Sequence, residues 1–360
     1  MSDFYEIDFL AVESKKSGDA ITIRYKINDI TRIHVVDGGF QSTGEKVSEH
    51  VKKHYDNPIF IDHVVATHQD GDHAGGLRTV LEDFAIGELW MLRPWLYADE
   101  LISRFSRFTN VENLKQSLKE IYPNIAALEV IALQKGIAIR EPFQGSTIGA
   151  FTVLSPTKAR YLDLIVESDK TPDSIKENTS QNALARIFEA AKALSNLIRS
   201  AWGKEIFSTN GTSAENEMSI VQYANIANRK ILLTADTGRD GLNEAANFAP
   251  FVNLQLPGID FFQVPHHGSR RNVSTEILNR WLGNVLPFQP SEGSAKFSAF
   301  ISSAKEDIDH PRKAVVRAMQ HRGGNVSKTE GQDIRHAFNA PTRIGWGPIN
   351  PTPYPEDQEE

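Results

Sequence analysis

At 360 residues with 40% hydrophobic side chains, the chain is long enough for one large domain or two small ones with a packed core. It contains no cysteine, which excludes disulfides, a thiolate zinc site and a cysteine nucleophile. A net charge of −7 argues against a protein that coats nucleic acid by bulk electrostatics, although a bound metal pair could supply the local field that a phosphate needs.

The opening Met-Ser-Asp-Phe-Tyr-Glu-Ile-Asp has no basic stretch followed by an apolar run, and no apolar segment approaches bilayer length. The expectation is a soluble cytoplasmic protein with no membrane partner. Residues 4–11, 20–26 and 30–36 are rich in Ile, Val, Phe and Tyr and separated by Lys-Ser-Gly-Asp and Asn-Asp, which predicts consecutive strands joined by turns. The third runs into Asp37-Gly38-Gly39. Residues 42–55 predict a helix with Thr43 as a cap and Val47, Val51 and Tyr55 along one side. The apolar Val64-Val65-Ala66 then leads into Thr67-His-Gln-Asp-Gly-Asp-His-Ala-Gly-Gly76, a strand ending in a loop that carries His68, Asp70, Asp72 and His73. Imidazole and carboxylate at this density suit zinc, manganese or iron in a catalytic site. The alternative is a polar loop whose aspartates cap the next helix.

His-x-Asp-x-Asp-His followed by Gly-Gly resembles the His-x-His-x-Asp-His signature of the metallo-β-lactamase fold, in the variant with Asp at the second His. That variant is similar to the hydrolase domain of the ComEC-type competence proteins. The resemblance implies an α/β (α+β), four-layer αββα sandwich with a helical insertion, and a buttressing role for Asp37 beneath the metal loop. The transport role of a membrane-embedded ComEC is not carried over, since no spanning segment is present.

Further along, Leu77, Val80 and Leu81 predict a helix, residues 89–92 a strand, 95–122 helical structure, and 127–133 and 146–154 extended segments. Leu184, Ile187, Phe188, Ala191, Leu194, Leu197 and Ile198 form an apolar stripe that fits a core or dimer contact. Residues 95–210 read as an insertion covering the site or building a homodimer interface. Residues 1–338 would form the hydrolase domain, and 339–360 a Pro-rich acidic tail, flexible or draped on the surface.

In the second half, Leu232-Leu233-Thr234-Ala235-Asp236 is similar to the family's Leu-Leu-Thr-Gly-Asp, whose acid bridges two metals. Val264-Pro265-His266-His267-Gly268-Ser269 is similar to the ComEC-type string. By the family's pattern His266 is the expected ligand, with His267 behind it. Phe297–Ser302 reads as a strand, and His310-Pro311 as the start of a helix through His321, where His310 either lies beside the active site or caps the helix.

By that resemblance, His68 and Asp70 would hold a first divalent ion and Asp72, His73 and His266 a second, with Asp236 between them. Where the family has a further His, this chain has Asn216, Glu217 and Ser219, so the first position is more oxygen-rich. One or two ions are expected, Zn or Mn and possibly Mg. Metal-activated water would attack a phosphodiester of a nucleic acid or nucleotide, His267 or His310 protonating the leaving oxygen. Asp72 would be essential to catalysis, while Ser269, Arg270, Arg271 and Asn216 could bind substrate. Hydrolysis of small esters, lactones or amides, or a non-catalytic metal-binding role, are the alternatives.

Overall fold

The computed structural model describes residues 2–12, 14–171, 201–291 and 293–358. The first sheet is built from β1 (Phe4–Phe9), β2 (Ala20–Ile27), β3 (Ile30–Gly38), β4 (Phe60–Val65), β5 (Ala85–Trp90) and β6 (Ala138–Arg140). The second contains β7 (Thr147–Ile148), β8 (Phe151–Ser155), β9 (Val221–Ile226), β10 (Arg229–Leu233), β11 (Phe261–Gln263), β12 (Phe297–Ile301) and β13 (Gly324–Lys328). The last strand, β14 (Ile334–Phe338), returns to pair with β1 and completes the first sheet in the order β14-β1-β2-β3-β4-β5-β6. In each sheet one half is antiparallel and the other parallel, with β3 to β6 and β10 to β13 forming the parallel halves.

Local chemistry sets these elements. Asn28 and Asp29 both take positive φ, as a two-residue hairpin between β2 and β3 requires. In β4 His63, Val64 and Val65 are all buried, as expected of a parallel strand covered on both faces. The sheets pack face to face through Phe9 of the first against Phe261 and Phe300 of the second, with ring centroids 5.9 and 5.4 Å apart. Helices Gly44–His54 and Leu77–Asp83 cover the outside of one sheet. Helices Arg239–Phe248, Thr275–Leu282 and Lys313–His321 cover the other, with Trp281 fully buried among them. This is the four-layer αββα sandwich, and the metallo-β-lactamase fold.

Several local expectations are corrected. Residues 127–133 lie within a helix, Pro123–Lys135, which starts on a proline and ends on Gly136 in the left-handed conformation. The stretch expected as an insertion also supplies β6, β7 and β8, so 138–155 belongs to the two sheets. His310 and Pro311 precede their helix, which begins at Lys313 with Arg312 at its cap position. Thr43 occupies the cap position of the first helix without a side-chain capping bond. The amphipathic stripe 184–198, and with it the expected dimer contact, lies outside the described residues. After β14 the chain is draped on the surface and pinned there. Arg343 donates to Glu6 and Asp8 of β1, and Gln358 donates to the Lys204 carbonyl. Among the described residues no helix is long and apolar enough to cross a membrane.

Candidate metal centre

The loops that follow β3, β4, β10, β11 and β12 meet at the carboxyl ends of the parallel strands, where open α/β sheets place their ligands. Two of these loops are held by close backbone approach. A Cβ on Gly76 would stand 2.0 Å from the Gly38 carbonyl oxygen, which accounts for the second glycine after the His-Asp-Asp-His loop. Residues other than glycine with positive φ are otherwise mostly Asn and Asp in turns, yet Asp37, Ala235, His266 and His267 take φ of 57°, 47°, 48° and 54° around this one point. Strain of this kind collects where geometry serves a site.

The hydrogen bonds settle which nitrogen of each ring faces inward. Asp37 accepts from the Thr67 backbone N–H at 2.8 Å, from the Thr67 hydroxyl at 2.6 Å and from His73 Nδ1 at 2.8 Å. The Thr67 hydroxyl, having given its proton to Asp37, accepts from His68 Nδ1 at 3.1 Å. His267 Nδ1 donates to the Ser302 carbonyl at 3.0 Å. Asn272 spends its amide nitrogen on the carbonyls of Asp236 and Thr237, so its oxygen must face His266 Nδ1, 3.1 Å away, and receive that proton. All four imidazoles therefore carry hydrogen on Nδ1 and turn Nε2 the same way.

They turn toward Asp236. His73 Nε2 is 3.4 Å from its Oδ1, while Nε2 of His68, His266 and His267 stand 3.9, 3.7 and 3.8 Å from its Oδ2. His267 Nε2 is also 3.8 Å from Asp72, and Asp72, His73 and His267 come together as one potential ligand group. Asp70 Oδ2 lies 4.0 Å from His68 Nε2.

The nitrogens His68 Nε2, His73 Nε2 and His267 Nε2 and the Asp236 Oδ1 oxygen are buried without a hydrogen-bond partner. Buried groups left so cost about 1–3 kcal/mol each, a deficit that bound cations would remove. Electrostatics points the same way. Burial opposes charge on His73, but Asp236 and Asp37 outweigh it and hold the imidazole's proton well above the ordinary range. Burial likewise opposes charge on His267, yet Asp236 and Asp72 push it up to about 9. Asp236, despite burial, is held far below the usual carboxylate range by His266, His73 and His267. The cavity demands positive charge, and these residues fit divalent metal with their outer partners already in place.

Of the residues expected from the sequence, His68, Asp70, Asp72, His73, Asp236, His266 and His267 converge. The arrangement differs in one respect: His267, rather than His266, stands with Asp72 and His73. His310 stacks on His266 at 5.4 Å and bonds Asp307 through Nδ1 at 3.2 Å. Burial, then the neighbouring His267 and His266, lower it to about 4, so it is uncharged near neutral pH and suited to accept rather than donate a proton. Ser269 is buried and takes up the Arg271 N–H, and Asn216 contacts His266 Nδ1 at 3.0 Å.

Beside the centre is a cavity of about 240 Å³ with Asp72, His266 and His267 on its floor and Lys15, Lys16, Asp307 and His310 among its walls. Ser269, Arg270, Arg271 and Asn216 do not line it. The lysines were hidden in the polar Lys15-Lys16-Ser17-Gly18-Asp19 turn, as was Asp19, a buried acid 3.7 Å from His73 Nδ1 and 4.0 Å from His267 Nδ1. Burial raises the Asp19 carboxyl, and Gln263 donates to it at 2.8 Å.

Residues 31–112 match the model of the metallo-beta-lactamase superfamily, the segment from β3 through the His-Asp-Asp-His loop and beyond. No curated protein matches the chain. Among solved structures, the chain is similar to the metallo-beta-lactamase fold protein YhfI from Bacillus subtilis at 11% identity, covering 93% of this chain and 100% of that one, with a TM-score of 0.41. It is similar to CmlA, a diiron beta-hydroxylase from Streptomyces venezuelae, at 13% identity over 94% of this chain and TM-score 0.39, spanning 54% of the length of CmlA. A putative metallo-beta-lactamase from Thermotoga maritima is similar at 11% identity, over 64% of this chain and 78% of that one, with TM-score 0.31.

Proposed function

We propose that the protein is a metal-dependent hydrolase that cleaves a phosphodiester. The observation that carries the metal-dependent part is the convergence of four imidazole Nε2 atoms on Asp236, beside a cavity reaching Asp72. A divalent ion bound there supplies Lewis acidity and a water that is nucleophilic at neutral pH. The phosphodiester part is supported by Lys15 and Lys16 on the cavity wall, which would hold phosphate oxygens, and by the ComEC-like strings around His68 and His266. His310, neutral and tied to Asp307 through Nδ1, offers its other nitrogen as a proton acceptor in the same cavity. Asp37, Ser302 and Asn272 keep the other rings in the required tautomers.

A second reading has its own support. The cavity is small and also lined by Glu306, Ile308 and Asp309, which suits a compact substrate such as a small ester or lactone as well as a single phosphodiester. The test is hydrolysis of labelled single-stranded DNA, duplex DNA, RNA, bis(p-nitrophenyl) phosphate and a p-nitrophenyl ester by the purified chain with Mn²⁺, Mg²⁺ or Zn²⁺. Phosphodiester cleavage that disappears in Asp236→Asn supports the first reading. Ester cleavage alone supports the second.

A further inference from the structure

The centre holds two adjacent histidines but only one is needed to complete the group of Asp72 and His73. His267 takes that place, being buried, unpartnered at Nε2 and 3.8 Å from Asp72. On the other side of Asp236, the carboxylates near His68 are Asp37, whose oxygens already accept from Thr67 and His73, and Asp70, whose Oδ1 Lys170 holds at 2.7 Å. A position with one imidazole and a shared carboxylate is short of donors for a nitrogen-preferring ion.

His266 supplies what is missing. Its Nε2 stands 3.7 Å from the Asp236 oxygen, Oδ2, that His68 faces at 3.9 Å. Its tautomer is fixed by Asn272, whose amide nitrogen is held by the carbonyls of Asp236 and Thr237, so the ring is tied to the backbone of the loop that carries Asp236. Asn216, in the segment that enters β9, lies 3.0 Å from the same Nδ1 and spends its amide nitrogen on the Thr212 hydroxyl, so Asn272 alone receives the His266 proton. Consecutive left-handed residues at 266 and 267 let neighbouring side chains reach one acid by different approaches, their rings inclined at 78°.

We propose that the adjacent histidines serve different ions: His267 completes the position of Asp72 and His73, and His266 is the second imidazole of the position begun by His68, with Asp236 shared and Asn272 as the positioning residue. The inference concerns where the ions sit and is independent of the substrate.

The test counts metal. Zn²⁺ per chain is measured by elemental analysis after gel filtration, affinity by calorimetry, and the ligand field by the visible spectrum of the Co²⁺ form. Native protein is expected to hold two ions, and His266→Ala and His267→Ala one each. The two variants should give different Co²⁺ spectra, because each retains the ion the other loses. Asn272→Leu should weaken one ion about 10- to 100-fold and leave the other unchanged. Circular dichroism of the metal-free variants verifies folding, and His266→Gln replaces His266→Ala should the latter fail to fold. Two ions of native affinity retained in the folded His266 variant would overturn the inference, as would native protein that holds a single ion. Native protein that binds none would also overturn the metal-dependent reading of the function, whereas two ions without any hydrolysis would leave the assignment standing and remove only that reading.

Discussion

Lys170 Nζ lies 2.7 Å from Asp70 Oδ1, while the other oxygen of the same carboxylate lies 4.0 Å from His68 Nε2. The acid at the second place of the His-x-Asp-x-Asp-His string thus divides itself between an ammonium and the centre. A cation brought to His68 would be repelled by Lys170 and would compete with it for Asp70. Removing the ammonium in Lys170→Ala should therefore tighten binding of one ion. Both side chains are partly exposed, so the gain should be only about two- to fivefold and should shrink in high salt. Zinc titrations of native and Lys170→Ala protein at two salt concentrations check this. Unchanged affinity at low salt would show that Asp70 takes no part in holding metal.

Asp37 should matter to both stability and metal. Its two oxygens accept from the Thr67 amide, the Thr67 hydroxyl and His73, so Asp37→Ala leaves three buried donors without an acceptor. A loss of about 3 kcal/mol in stability and a 10- to 100-fold loss in metal affinity are expected. Asp37→Asn keeps one carbonyl oxygen and tolerates the positive φ of this position, so it should fall between native and Asp37→Ala in both measurements. Denaturant unfolding with and without a chelator separates the two effects. Equal behaviour of the Asn and Ala variants would contradict the acceptor role.

Much of this centre was legible in the chain, and the limit has a physical cause. Asp37, the 67–76 loop, Asp236 and the His266-His267 pair each sit directly after an apolar run, where a strand delivers its next polar residue to a sheet edge. Asp19, Lys15 and Lys16 sit in a polar turn whose chemistry looks like any solvent-facing hairpin. Their place at the site follows only from β1 and β2 crossing beneath the metal loop, where the Asp19 amide donates to the Asp72 carbonyl at 3.1 Å. Asn272 is equally silent, since its role depends on three carbonyl and imidazole partners from elsewhere in space or chain. Residues 127–133 carry no helical period, because Ala-Leu-Glu-Val-Ile-Ala-Leu has apolar groups on every side. Pro123 and Gly136 were the usable signals there.

The Gly-Gly that closes the metal loop gives a purely steric prediction. Gly76 has an ordinary negative φ, so conformational freedom is not its reason for being there. Its Cα faces the Gly38 carbonyl, and a methyl group would stand 2.0 Å from that oxygen, with the Gly44 amide nitrogen at 3.0 Å. Backbone, not a flexible side chain, would have to move, and it would move Asp37's neighbour. Gly76→Ala should cost about 3 kcal/mol and weaken metal binding along with stability. Gly136→Ala tests the opposite case: its Cβ meets nothing within 4 Å, so only the left-handed φ of 67° opposes it, at about 1 kcal/mol. Thermal unfolding of both variants should rank Gly76→Ala as the more damaging, and the reverse order would discount the steric account.

Acid should loosen the molecule far from the metal. Glu205 is buried where the segment 201–208 crosses the helices Thr275–Leu282 and Lys313–His321, and it accepts from Arg322, Thr275 and His321. Burial alone would raise its carboxyl, but the bonds to His321 and Arg322 win and lower it to about 2. Since the folded value lies below the unfolded one, the ionised carboxylate stabilises the fold fully above the ordinary glutamate range, and that stability is lost as pH falls through the interval down to about 2. A displacement of this size corresponds to roughly 3 kcal/mol. In Glu205→Gln the acid dependence from this group should vanish, and the variant should be less stable than native at neutral pH, because Arg322 is left buried with only neutral partners. Denaturant unfolding of metal-free native and variant protein between pH 7 and pH 3 decides it: the native curve should fall toward the variant's as acid is added, and two parallel curves would remove Glu205 from the acid response.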